Sequence, residues 1–173
     1  MLRHIFERQD LLARLRVEVA PAFANTNSIT TLDQLYFIVN SCPLLRAFYD
    51  ETLRLHSPSS SNRRVEEDTI IGGYTLKAGH HVMCPSYAQH HNPEYFGQDP
   101  TTFDPDRFLK PVLAKGKPAD AKMVRAFGGG VSLCSGRFYA SHEALPYTAT
   151  VLWRFDVEFK AGGKVRIVSR KRE

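Results

Sequence analysis

The chain has 173 residues, a formal net charge of +5, 43% hydrophobic residues and 24% charged residues. This length fits one domain or part of a larger one, and the apolar content is sufficient for a core. The positive excess is too small and too dispersed to indicate a nucleic-acid-binding protein. Three cysteines (Cys42, Cys84 and Cys134) stand far apart without CxxC spacing, which argues against a disulfide framework or a zinc knuckle.

Helical spacing of apolar residues dominates residues 1–56. The pattern is already helical at its first residues, so we expect the chain to be the end of a longer protein. A second helix is predicted from Thr31. Its expected apolar face consists of Leu32, Leu35, Tyr36 and Val39. Ser41, with Pro43 close behind, predicts the start of a third helix.

The rest of the chain predicts a minor sheet and one more long helix. Short β-prone segments separated by glycines predict a small antiparallel sheet over 63–84. Residues 92–126 are expected to hold a proline turn and an irregular basic meander. A cysteine loop follows at 127–137, and a last helix and hairpin at 137–168. Pro146 should kink that helix. The predicted fold class is mainly α with a minor antiparallel β-sheet.

The loop that ends in Cys134 carries the strongest chemical signal. Gly128, Gly129 and Gly130 lack a Cβ, so a flat ligand can approach the main chain closely. A helix is predicted directly after the cysteine, and a helix N-terminus favours the thiolate. These residues indicate an axial cysteine ligand to haem.

Three motifs occur in a fixed order along the chain. They are Glu51-Thr-Leu-Arg54 on a helix, Phe103-Asp-Pro-Asp-Arg107-Phe108, and Phe127-x-x-Gly130-x-x-x-Cys134-x-Gly136. Together they resemble the cytochrome P-450 family of haem-thiolate monooxygenases, over essentially the whole chain. The resemblance implies that residues 1–173 form a single partial domain, the C-terminal (proximal haem) part of that fold.

The resemblance also implies a cofactor, haem b (iron protoporphyrin IX), with Cys134 as the axial ligand of its iron. Phe127 matches the aromatic residue that packs beside the sulfur and the ring. Gly130 and Gly136 match the glycines that permit close approach.

A structural triad is implied as well. In the family the helix glutamate and arginine bond to the arginine of the proline turn, and the triad locks the loop that presents the cysteine. The matching residues are Glu51, Arg54 and Arg107.

One departure concerns the haem carboxylates. The family usually places a basic residue two positions before the cysteine, where it meets a propionate, but this chain has Ser132. Ser132 can still hydrogen-bond a carboxylate without the charge. Arg64 is the first choice for a replacement partner, and Arg63 is the second.

The implied activity is insertion of one oxygen atom from dioxygen into a small apolar organic substrate, with electrons from an NADPH-dependent reductase. A basic group comprising Lys115, Lys117, Lys122 and Arg125 is a candidate surface for an acidic electron donor. The resemblance further implies the cytosolic face of the endoplasmic reticulum membrane for a full-length eukaryotic protein, held by an N-terminal anchor expected before Met1.

Two alternatives stay open. The oxygen-activating helix of the family is expected before Met1, so the chain alone can be a truncated, inactive fragment. A haem-thiolate isomerase or dehydratase that needs no external electrons is the other, and Ser132 adds weight to it. The pairs His80–His81 and His90–His91 do not indicate a second metal site, because adjacent side chains on a strand point to opposite faces.

Overall fold

Seven α-helices and six β-strands lie within the residues that the computed structural model describes, which are 1–24, 26–109 and 121–170. The helices are α1 (Leu2–Phe6), α2 (Gln9–Val19), α3 (Leu32–Ser41), α4 (Pro43–His56), α5 (Ser86–His90), α6 (Pro93–Phe96) and α7 (Arg137–Arg154). The strands are β1 (Ser60–Arg64), β2 (Thr69–Ile71), β3 (Tyr74–Leu76), β4 (His81–Pro85), β5 (Phe155–Phe159) and β6 (Val165–Ser169). The predicted class, mainly α with a minor antiparallel sheet, is confirmed.

The core forms where α7 packs against α2, α3 and α4. Its centre consists of fully buried apolar side chains that recur at helical spacing: Leu15, Val19, Leu45, Phe48, Leu145 and Leu152. Helix α7 continues through Pro146, so this proline does not end the helix. Within the described residues, no helix is both long and apolar enough to cross a membrane.

Helix α3 begins where the sequence predicts but buries a different face. Thr31 and Gln34 form a capping box, in which each side chain bonds to the other residue's backbone. Ile38 is fully buried, whereas Leu32 and Tyr36 are 67% and 54% exposed. The predicted apolar face is therefore wrong for Leu32 and Tyr36, whereas Leu35 and Val39 are half-buried beside Ile38.

The N-terminus of α4 is capped from another helix. Ser41 is the last residue of α3 and not the start of α4, and Cys42 occupies the N-cap without a capping hydrogen bond from its side chain. The Glu18 carboxylate of α2 instead accepts from Leu44 N at 2.7 Å and Leu45 N at 2.8 Å. This contact fixes α2 against the start of α4, since it satisfies backbone donors that have no partner within the helix.

The strands form three antiparallel pairs. β1 pairs with β4, with Arg64 opposite His81. The shorter β2–β3 hairpin lies between these two strands in the sequence. β5 pairs with β6 at the end of the chain. The β-region formed by β1 to β4 runs from Ser60 to Pro85, slightly beyond the predicted 63–84. Residues 110–120 of the predicted meander lie outside the described residues.

Candidate functional site

A buried ion network joins α4 to the proline turn. Arg54 donates to both oxygens of Glu51, from Nε at 2.6 Å and from Nη2 at 2.8 Å. Arg107 Nε donates to Glu51 Oε1 at 3.0 Å. The Glu51 and Arg54 side chains are 0% exposed and that of Arg107 is 8% exposed. The structure thus brings all three residues of the predicted triad together, in a geometry that satisfies the carboxylate.

Arg54 and Arg107 also bind the backbone of the segment between α5 and the proline turn. Arg54 Nη1 donates to the carbonyls of His90 at 2.7 Å and Pro100 at 2.6 Å. Arg107 Nη2 donates to Thr102 O at 2.9 Å, and its Nη1 donates to Phe96 O. A guanidinium carries five N–H donors in a fixed plane. The two guanidinium groups of Arg54 and Arg107 can therefore hold this irregular segment in one conformation.

Backbone hydrogen bonds define a loop from Arg125 to Arg137, which begins two residues before the predicted 127–137 and keeps the name cysteine loop. Gly128 N donates to Arg125 O at 3.0 Å, and Cys134 N donates to Phe127 O at 3.1 Å. Gly128 has φ +82°, a conformation that favours glycine. The loop therefore closes on itself directly before α7 and presents the cysteine at the helix start.

One side of the cysteine loop is open. Cys134 is exposed, and so are Val131 and Leu133. A Cβ built on Gly130 would meet nothing within 4 Å, whereas one on Gly136 would lie 3.6 Å from Cys134 Sγ. A thiol surrounded by exposed apolar side chains and glycine backbone provides space for a flat, largely apolar ligand.

Every second residue from Ser59, directly before β1, to Arg63 within it borders this loop. Ser59 Oγ donates to Arg125 O at 2.9 Å, and Ser61 Oγ lies 3.6 Å from the Cβ position of Gly128. Arg63 Nη2 lies 3.4 Å from Gly129 O. Since strand side chains alternate between faces, Arg64 belongs to the opposite face.

A second guanidinium lies against the same glycine. Arg125 Nη1 is 3.1 Å from the Cβ position of Gly129, so a side chain there would have to displace it. Arg63 and Arg125 therefore both approach Gly129, while Ser132 is exposed at the end of a 3₁₀ turn. Sequence reasoning ranked Arg64 before Arg63 and did not consider Arg125 as a carboxylate partner.

His90 is a buried polar residue whose position sequence reasoning missed. It is 0% exposed, and its Nε2 accepts from Arg125 N at 2.8 Å. Burial lowers the pKa of His90 to about 4. The ring is therefore neutral at physiological pH. No sequence signal distinguished it from His91, because the contact joins residues 35 positions apart.

The predicted basic surface can be placed only in part. Lys122 and Arg125 are exposed, and Lys115 and Lys117 lie outside the described residues. A surface for an electron donor stays a prediction.

Comparison with known proteins agrees with these motifs. The family model described as cytochrome P450 matches residues 1–172. A "Cytochrome P450 monooxygenase" of Gibberella zeae is 33% identical over 164 residues, covering 90% of this chain and 31% of the relative. "Cytochrome P450 monooxygenase poxM" of Penicillium oxalicum is 35% identical over 170 residues, covering 94% of this chain and 31% of its own length.

A solved structure matches as well. The crystal structure of a cytochrome P450 (CYP102L1) superposes with a TM-score of 0.78 and 26% identity, covering 98% of this chain and 40% of that one. The chain thus spans about a third of the length of the curated relatives named above. With a family match over nearly every residue, the chain belongs to the cytochrome P450 family.

Proposed function

We propose that this chain supplies the proximal haem-binding part of a P450-type monooxygenase. The observation that carries the proposal is the exposed Cys134 at the start of α7, on a loop fixed beside the buried Glu51 network. The names of the similar proteins, which are monooxygenases, support this reaction class over an isomerase or dehydratase.

The residues around Cys134 fit haem b. The cysteine provides a soft thiolate ligand, the donor type that haem-thiolate enzymes use for iron. Phe127 is half-buried beside the loop closure, and Val131 and Leu133 are exposed apolar side chains. Gly130 has φ +66° and open space beyond its Cα. These features suit the apolar face of a porphyrin, and Gly136 leaves the sulfur accessible.

The haem carboxylates require polar partners at the edge of the ring. We assign this role to Arg63 with Arg125, because both guanidinium groups approach Gly129 on the cysteine loop. Arg64, the first choice from sequence, is disfavoured by its place on the opposite face of β1. The Ser132 hydroxyl can donate a hydrogen bond to a carboxylate without carrying a charge. Two arginines then compensate for the missing cation at that position.

Haem held by Cys134 would supply dioxygen activation, in which two electrons and two protons turn one oxygen atom into water while the other is inserted into the substrate. The chain's own part is to hold the Cys134 thiolate, to keep the loop in one conformation and to bind the carboxylates. A small apolar organic substrate and an NADPH-dependent reductase complete the proposal.

The test begins with haem titration of the purified chain, followed by reduction and addition of carbon monoxide. A strongly red-shifted Soret band supports thiolate ligation. Failure to take up haem supports the inactive-fragment alternative. Isotopically labelled dioxygen then separates the reaction classes: a monooxygenase places one labelled atom in the product and requires NADPH with a reductase. Turnover without external electrons supports the isomerase or dehydratase instead.

A further inference from the structure

We infer that His90 is a positioning residue that transmits the geometry of the buried Glu51–Arg54–Arg107 network to the cysteine loop. The inference rests on the proposed function only in assigning the loop to haem. The hydrogen bonds that define the link belong to the protein itself.

The connection uses both ends of His90. Its carbonyl accepts from Arg54 Nη1 at 2.7 Å, so the backbone of α5 is fixed by the ion network. Its ring Nε2 accepts from Arg125 N at 2.8 Å, at the first residue of the cysteine loop. One residue therefore touches the network with its main chain and the loop with its side chain.

The path continues to the cysteine. Arg125 O accepts from Gly128 N at 3.0 Å, which sets the turn that follows Phe127. Phe127 O accepts from Cys134 N at 3.1 Å. Each step is a backbone hydrogen bond, and such bonds hold short irregular segments in place.

The ring is held in one protonation state and one orientation. Because Nε2 accepts a backbone N–H, it carries no proton, and the neutral ring bears its proton on Nδ1. Among the described residues Nδ1 finds no hydrogen-bond partner, although it is buried. An unpaired buried donor costs stability. The atom of His90 that contacts the cysteine loop is therefore the Nε2 acceptor. Phe96 meets the ring edge-on and contributes to its orientation.

Two variants that differ by one methylene isolate this acceptor. The amide oxygen of His90→Gln reaches about as far as Nε2, whereas that of His90→Asn is one carbon shorter. Both lose the aromatic contact with Phe96. His91→Asn is the matched control, because the His91 ring stacks on Tyr87 and its Nδ1 bonds to Tyr87 O rather than to the cysteine loop.

The measurement is hydrogen exchange by mass spectrometry on the haem-free chain, read at peptides that contain Arg125, Gly128 and Cys134. We expect His90→Asn to speed exchange of these amides roughly tenfold, the factor that one net hydrogen bond supplies. His90→Gln and His91→Asn should keep the protection of the parent chain, and α4 should be unchanged in all three.

Equal protection in the Asn and Gln variants would overturn the inference, as would loss of protection in a folded His90→Gln. If His90→Asn fails to fold, the retained protection of His90→Gln decides the question in the same way. Haem titration of the same variants is read separately. A loop effect without haem binding would refute the proposed function and leave the His90 link intact.

Discussion

Glu51 Oε1 and Arg107 Nε lie 3.0 Å apart in a buried setting, and the same oxygen also accepts from Asp104 N at 2.8 Å. One carboxylate oxygen therefore holds both the side chain and the backbone of the proline turn. Since Arg54 binds the same carboxylate, both cations depend on a single charge. Removal of that charge would leave two guanidinium groups buried without compensation.

Glu51→Gln should therefore lower the free energy of unfolding by about 3–5 kcal/mol, as measured by urea denaturation. The control is Asp68→Asn, which breaks the exposed pair between Asp68 and Lys77. That change should have a much smaller effect, because exposed ion pairs contribute little. A Glu51→Gln variant as stable as the control would show that the network does not hold the turn.

Arg63 and Arg64 form a matched pair of neighbours on opposite faces of β1. Only Arg63 approaches the cysteine loop. Arg63→Ala should weaken haem binding roughly tenfold or more, the value of a hydrogen bond to a charged group, and Arg64→Ala should leave it unchanged. Titration with haem and with its dimethyl ester, which lacks free carboxylates, measures the effect. A larger loss in Arg64→Ala would restore the choice made from sequence.

Glu18 caps α4 from α2, so its removal should loosen the junction of the two helices. Glu18→Ala leaves Leu44 N and Leu45 N without their acceptor, and we expect a loss of about 1–2 kcal/mol in thermal or urea unfolding. Glu7→Ala is the control, since the Glu7 side chain forms an exposed pair with Arg3. Equal losses in the two variants would argue against a capping role.

The pKa of His90, which burial lowers to about 4, predicts a pH dependence of stability. The unfolded chain binds this proton more readily, with an ordinary pKa near 6.5. The contribution of the neutral His90 ring to the free energy of unfolding is fully present above about pH 6.5. As the pH falls toward about 4 this contribution is lost, which lowers the free energy of unfolding by at most ~3 kcal/mol. The difference in unfolding free energy between the parent chain and His90→Gln should follow this window. A difference that does not vary between pH 7 and pH 4 would contradict the prediction.

Local signals made parts of the fold predictable. The helix predicted from Thr31 begins there in the structure, because Thr31 and Gln34 satisfy backbone donors within a few positions. The buried face of α3 was not predictable in the same way. Leu32 and Tyr36 fit the helical period as well as Ile38 does, and only the packing partners decide which face is covered.

The residues of the candidate site likewise fall into those that a local motif predicts and those that only long-range contacts reveal. The Glu51, Arg54 and Arg107 contacts were predictable from motifs, and the proposed role of Cys134 rests on a motif as well, because these residues stand in short recognisable patterns. The choice between Arg63 and Arg64 needed the strand register, which a one-residue shift reverses. His90 and Glu18 act on residues distant in sequence, so no local pattern could reveal them.

The measurement that tests the central claim most directly compares two exposed cysteines, Cys134 and Cys84. The chain is loaded with haem, reduced and treated with carbon monoxide. We predict the red-shifted Soret band of thiolate ligation in the parent chain and in Cys84→Ala, and its loss in Cys134→Ala. Persistence of that band in Cys134→Ala, or its loss in Cys84→Ala alone, would contradict the assignment of Cys134 as the iron ligand.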